Sequence, residues 1–398
     1  MIDKNNYLDM QLHKDNDAYY IDKLKEKIYN NNALVINAKY VNISDSRTKK
    51  KGCLYWFCGL LGCLKKEEEE EEEDLKEKPR FVGLINVGNN CYLNAGLQIL
   101  SRCYPLLLEL LKSNYEKDEL INLFVDAMIA LLFKKEKYYN PKNFLNIFCK
   151  RNKDFFVGQQ NCSQDFIRTI LRNINDIYEK KISPKYYKPS DDEELNAYST
   201  YLIENNIFPE SKPYSIFSGI LKIHIKGICT NCQTEINNYS FSSFVDQIIY
   251  LNSFKTKSKF SDVLRNNIGK QNNVTMKCPK CKEKMKSKSI SKFVKLPEIF
   301  IFTLERFLER NTVPIEPDEF ISMHDLIDDA CDIDKGKCYY ELFAVNIRLG
   351  DNISFGHEIC HIKDENQWYT INDKNSHIKT EDYLENSYGL FYRRTNKI

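Results

Sequence analysis

From Leu93 onward the apolar positions of the chain recur at helical spacing: Leu93, Leu97 and Leu100 follow the i, i+4, i+7 rule of one buried helix face. The same patterning continues through Leu107 to Leu111, Leu120 to Phe133 and Asn143 to Cys149, and returns at Phe166, Ile167, Ile170 and Leu171. Lys180 to Asn205 is largely polar, with Ser190-Asp191-Asp192-Glu193-Glu194 at its centre, and is expected to be a mobile loop. From Ser215 the period shortens to that of strands. Ile223 and Ile225 alternate with His224 and Lys226; Phe343, Val345, Ile347 and Leu349 alternate with Leu342, Ala344, Asn346 and Arg348. Between them, Phe293 to Phe307 is an apolar run that reads as a core strand with Pro297 at its entry. A glycine-bounded loop, Gly350 to Gly356, leads into a predicted hairpin: His357 to Lys363, a turn at Asp364-Glu365-Asn366, then Gln367 to Asp373.

Composition narrows this picture. At 398 residues, with 42% hydrophobic and 13% aromatic positions, the chain has enough material for one large or two ordinary globular domains. A net charge of +2 gives no reason to expect a nucleic-acid or membrane footprint over the whole chain. Fourteen cysteines suit an oxidised, secreted scaffold in a short chain; here the length, and the lack of a signal-peptide pattern in Met1 to Asn30, favour reduced thiols and metal binding. The expected location is therefore intracellular, cytoplasmic or nuclear. No apolar run approaches the length that spans a bilayer.

Residues 1–80 read as a flexible extension. Lys49-Lys50-Lys51 leads into an apolar piece carrying Cys53, Cys58 and Cys63, followed by Lys65-Lys66 and the acidic run Glu67 to Asp74. The cysteine-bearing piece has two readings: S-acylation with peripheral membrane contact, or a patch that packs on the main domain. The acidic run reads as a solvated linker, since adjacent glutamates repel one another.

Three groups of residues carry candidate chemistry. Cys91 stands where the polar loop Gly83 to Asn90 runs into the first apolar helix, with Asn89 and Asn90 as good N-cap types. A thiol there faces the positive end of the helix dipole, which favours the nucleophilic thiolate, and the amide of Asn86 could donate to an oxyanion. The plain alternative is a small buried hydrophobe. Two Cys-x-x-Cys pairs, Cys229/Cys232 and Cys278/Cys281, can give four thiolates to a tetrahedral, structural zinc with no open position for catalysis. Finally, a three-residue hairpin loop puts His357 opposite Asp373, and a two-residue loop is expected to bring Asn372 there. Either supplies the third member that orients an imidazole.

Together these residues resemble the ubiquitin-specific protease family of papain-like cysteine deubiquitinases. The resemblance runs in order through the Cys box Gly83 to Leu100, a Gln box Gln160 to Phe166, the two Cys-x-x-Cys pairs, Leu296-Pro297 to Phe307, and a His box that includes Gly356-His357, Trp368 to Asp373 and Tyr388 to Tyr392. It implies an α+β fold likened to a hand within residues 81–394: a helical thumb (81–215) carrying Cys91, β fingers (216–294) tipped by zinc, and a β palm (295–394) carrying His357. It further implies thiol-dependent hydrolysis after the C-terminal glycine of ubiquitin, with ubiquitin and its conjugates as partners. In that scheme Cys91 attacks, His357 is the base, Asn372 or its neighbour Asp373 orients it, Asn86 supports the oxyanion, and Gln160, Asp165 and Phe166 meet the substrate. The alternatives are a protease for a ubiquitin-like modifier or a silent ubiquitin-binding scaffold. A zinc-ribbon nucleic-acid binder, suggested by the lysines from Lys277 to Lys292, is disfavoured because no aromatics interleave them.

The sequence also departs from the family pattern. Cys162 stands where aspartate is usual, Arg348 for histidine, Glu358 for tyrosine, Ala95 for serine and Glu305 for a basic residue. Glu358 is expected to alternate away from the His357 face and to affect catalysis modestly.

Overall fold

The computed structural model describes residues 23–26, 81–133, 136–178, 192–204, 211–307, 311–329, 338–350 and 356–395. The cysteines Cys53, Cys58 and Cys63, the acidic run Glu67 to Asp74 and loop positions 351–355 lie outside them. The chain divides into two compact units, residues 1–159 with 371–377, and residues 160–370 with 378–398.

In the first unit, β1 (Gly83–Leu84) precedes α1 (Cys91–Ser101), α2 (Tyr104–Leu111), α3 (Glu119–Phe133), β2 (Tyr138–Tyr139) and α4 (Lys142–Arg151). The stripe of Leu93, Leu97 and Leu100 does make a helix starting at Cys91, but every residue of α1 is buried, not one face alone. Its polar residues are therefore paired: Gln98 Nε2 donates to the Val82 carbonyl at 2.8 Å and Ser101 Oγ to that of Gln98 at 2.7 Å. Pro105 sits in the first turn of α2, where a missing N–H removes no helical bond. Ring contacts among Tyr92, Phe155, Phe148, Phe144 and Phe124 join α1, α3 and α4. β1 and β2 pair in parallel, tying the entry to α1 onto the start of α4.

The second unit begins with α5 (Ser163–Tyr178), α6 (Glu193–Glu204) and α7 (Lys212–Ser215). The expected loop at 180–205 is thus corrected for its second half. Asp192 Oδ1 accepts the N–H groups of Glu194 and Leu195 and starts a helix there. Tyr198 and Tyr201 of α6 then pack on Phe241. Two sheets follow. β3 (Gly219–Ile228) and β4 (Glu235–Phe244) belong to a four-stranded sheet, completed after β5 (Gln247–Tyr250), β6 (Ser258–Lys259) and α8 (Phe260–Asn267) by β7 (Asn272–Lys277) and β8 (Lys284–Lys295), in the order β4-β3-β8-β7.

The predicted single strand from Phe293 to Phe307 is two: β8 ends at Lys295 and β9 (Ile299–Glu305) begins in the other sheet. Pro297 lies in the gap, where it has no N–H for a ladder, and the chain changes sheets there. Short β10 (Ile315–Glu316) and β11 (Phe320–Ser322) precede the long β12 (Tyr339–Leu349), β13 (His357–Asp364), β14 (Gln367–Asn372), β15 (Asn375–Ile378) and β16 (Ser387–Thr395). In the larger sheet β13, β12, β16, β9 and β5 are successive neighbours. Phe300 and Phe302 share one face of β9 and meet Phe260, Tyr340 and Tyr392 in the core. The alternation along β12 does not separate a wet face from a dry one. Asn346 and Arg348 are as buried as Ile347.

Candidate active site

In the first unit, the loop into Cys91 is held by side-chain amides. Asn90 occupies the N-cap position of α1 without capping it. Its Oδ1 instead accepts the N–H of Val87 at 2.6 Å, and its Nδ2 donates to Asn94 Oδ1 at 2.9 Å, one turn into the helix. Asn86 Oδ1 accepts the N–H of Gly88 at 3.1 Å and of Asn90 at 3.4 Å. Its Nδ2 donates to Asp373 Oδ2 at 2.9 Å, while Asn94 Nδ2 donates to Asp373 Oδ1 at 2.7 Å.

One carboxylate thus grips both the loop before Cys91 and the helix after it. Asp373 itself is held in the left-handed region, at φ 49°, and its carbonyl accepts the N–H of Leu84 at 2.8 Å. Gly83 permits this approach: a Cβ there would lie 2.4 Å from the carbonyl oxygen of Lys374. Cys91 is a buried free thiol at the first position of α1, and Asn372 is half-buried at the end of β14.

In the second unit, His357 is the first residue of β13, half-buried and opposite Leu349. The hairpin that follows has the shorter of the two turns weighed above. Only Glu365 and Asn366 separate β13 from β14, and β14 stops at Asn372.

Gln160 is half-buried. Asp165 is more than half exposed and pairs with Arg168 at 2.8 Å. Arg168 also donates from Nε to Asp246, whose carboxyl is pushed up by burial against the pull of that guanidinium. Phe166, expected to meet substrate, is fully buried in the core; on an α5 turn whose neighbours Ile167 and Ile170 are also buried, it packs. Cys162 is buried as well, and its thiol is pushed up to about 12, first by burial and then by the nearby charges of Glu358 and Asp165. Gln164 lies against Gly389, where any Cβ would collide with its amide.

Two departures that look independent in the sequence meet in space. Arg348 and Glu358 are directly opposite across β12 and β13 and form a fully buried ion pair.

At the end of the four-stranded sheet the four cysteines converge, with all Sγ atoms within 4.8 Å of one another. Cys229 and Cys281 approach to 3.5 Å, Cys232 and Cys278 to 3.6 Å. The two turns repeat one geometry. Gln233 N–H donates to the Cys229 carbonyl at 2.8 Å and Lys282 N–H to that of Cys278 at 2.9 Å, and Gln233 and Lys282 both take positive φ. The donor set can hold a metal ion.

The sequence reading missed Asn94, although a polar side chain inside an apolar helix, four residues after a loop asparagine, is a signal of local pairing. It also missed Ser163, whose contact with Glu358 has no local signature.

Residues 82–392 match the family described as ubiquitin carboxyl-terminal hydrolase. The chain is similar to Ubiquitin carboxyl-terminal hydrolase 4 of Arabidopsis thaliana, 24% identical over 341 residues that cover 79% of this chain and 89% of that protein. It is also similar to Probable ubiquitin carboxyl-terminal hydrolase 4 of Schizosaccharomyces pombe, 23% identical over 358 residues that cover 79% of this chain and 59% of the relative.

Proposed function

This chain belongs to the ubiquitin carboxyl-terminal hydrolase family and is a cysteine-type deubiquitinating peptidase, and we propose that Cys91 is its attacking thiol, His357 its base and Asn372 the residue that orients the imidazole. His357 takes the proton from Cys91 Sγ, and the thiolate attacks the carbonyl carbon of the last glycine of ubiquitin. The resulting oxyanion accepts hydrogen bonds from the backbone N–H of Cys91 and from the amide of Asn86, each worth about 3 kcal/mol. His357 then protonates the departing lysine amine. Water next hydrolyses the thioester through the same base, freeing Cys91.

The observation that carries this assignment is the Asp373 clamp. An amide has two N–H groups; Asn86 commits one to Asp373 and keeps its dipole fixed, so the other is preorganised for a developing charge. Both carboxylate oxygens of Asp373 already have partners, Asn86 and Asn94. In this reading Asp373, held by Asn86 and Asn94, is a positioning residue, and Asn372 orients the imidazole.

For the substrate, Gln160 and Asp165 meet the basic tail of ubiquitin in this reading. The thumb, fingers and palm correspond to 81–215, 216–294 and 295–394, with zinc in the four-cysteine cluster. Sulfur separations of 3.5 and 3.6 Å suit the edges of a tetrahedron with zinc–sulfur bonds of about 2.3 Å. Such an ion fixes the two turns against each other and takes no part in the chemistry. The protein works inside the cell, where its thiols stay reduced.

The test is hydrolysis of ubiquitin carrying a C-terminal fluorogenic amide. Wild type turns it over, and Cys91→Ala is folded and inactive; retained turnover by Cys91→Ala contradicts the assignment. The loss of an acid at Cys162 favours one second reading, a ubiquitin-like modifier with a less basic tail, and a panel of modifier substrates separates the two.

A further inference from the structure

Glu358 is surrounded by donors. Its carboxylate accepts the backbone N–H of Ser163 at 3.1 Å, the hydroxyl of the same serine, and Asn346 Nδ2 at 3.1 Å, and it pairs with Arg348 Nη1. Arg348 Nη1 also donates to the carbonyl of Asn161 at 3.3 Å. A carboxylate with no exposure persists as an ion only with such a set of partners.

The partners come from separate pieces of chain. Asn346 and Arg348 lie on β12, Glu358 on β13 next to His357, Ser163 opens α5, and Asn161 lies in the loop before it. At Ser163 the carboxylate takes an N–H that has no acceptor within the helix, at the end of the helix where negative charge is favoured. The neighbouring Cys162 stays a neutral thiol and adds no competing charge.

We infer that Glu358, set against Arg348, is a positioning residue for substrate binding, which fixes segment 160–165 on the strand that carries His357. This rests on the reading of Gln160 and Asp165 as residues that meet the ubiquitin tail. The pair is specific to binding for a geometric reason. Successive side chains of a strand point to opposite faces, so Glu358 reaches away from the His357 side and toward Ser163. Loss of its charge releases the 160–165 segment while the imidazole keeps its place at the start of β13.

Steady-state kinetics of Glu358→Gln and Ser163→Ala on the fluorogenic ubiquitin substrate test the inference. Glu358→Gln is expected to raise KM about tenfold with kcat within about twofold of wild type, the size of one hydrogen bond to a charged group. Ser163→Ala, which removes one hydroxyl and is the milder change to folding, shifts KM in the same direction by about threefold. The KM effect of the double variant is expected to fall short of the product of the two single effects, because both weaken the same Glu358–Ser163 contact. A parallel titration of ubiquitin onto Cys91→Ala, with and without Glu358→Gln, should show the same weakening without turnover. A fall in kcat with KM unchanged, or KM effects that multiply in the double variant, overturns the inference. Failure of wild type to cleave the substrate instead overturns the functional reading on which it rests.

Discussion

Asp373 shows what a single carboxylate does when each of its oxygens takes a different amide. It connects Asn86 to Asn94 across a cysteine that neither touches in sequence order, and it fixes the amide proposed to meet the oxyanion. Asp373→Ala should therefore lower kcat by tens-fold to about a hundredfold, the worth of one oxyanion donor, with KM little changed. Asn372→Ala should instead change the pH dependence of kcat/KM, since it alters the setting of the base. At the same scale the structure separates two cysteines. Burial and two nearby carboxylates hold the Cys162 thiol up at about 12, so at pH 8 it remains protonated. Mass spectrometry after brief treatment with a small alkylating reagent should find Cys162 unmodified; its ready alkylation in the folded protein contradicts that environment. The places of Cys91 and His357 at the start of a helix and of a strand were legible in the sequence, because each has a local marker. The pairings of Asp373 with Asn86 and of Arg348 with Glu358 were not. The first joins positions 287 residues apart, and the second needs the β12–β13 register.

Elements were legible where period and punctuation agreed. α1 began at Cys91, where its apolar spacing starts, although Asn90 does not cap it, and the break between β8 and β9 fell at Pro297. α6 was missed because its polar sequence carries only a narrow apolar stripe, and that stripe makes sense only beside Phe241 of β4. The hairpin after His357 was expected, and of the two turn lengths weighed it has the shorter, Glu365-Asn366. The cysteine turns were the most legible element of all, since Cys-x-x-Cys spacing dictates their geometry. Purified protein should contain one zinc ion per chain. Stripping it with a chelator should expose Cys229, Cys232, Cys278 and Cys281 to thiol reagents and lower the melting temperature. Serine at Cys232 should do the same without added chelator, and an unchanged metal content in that variant contradicts the four-cysteine site.

For the whole molecule, the two compact units divide the proposed machinery. Cys91, Asn86, Asn372 and Asp373 belong to the first; His357, Gln160, Asp165 and the cysteine cluster belong to the second. The chain returns residues 371–377 to the first unit after building most of the larger sheet, which is how a residue as late as Asp373 comes to hold the loop before Cys91. No local pattern in the sequence announces that return. The central claim is that Cys91 is the nucleophile of a ubiquitin hydrolase. It is tested most directly by incubating the protein with ubiquitin bearing a C-terminal electrophile and locating the adduct by peptide mass spectrometry. The account predicts one ubiquitin per chain, attached at Cys91 and absent in Cys91→Ala. No adduct with wild type, or an adduct at another cysteine that survives Cys91→Ala, would contradict it.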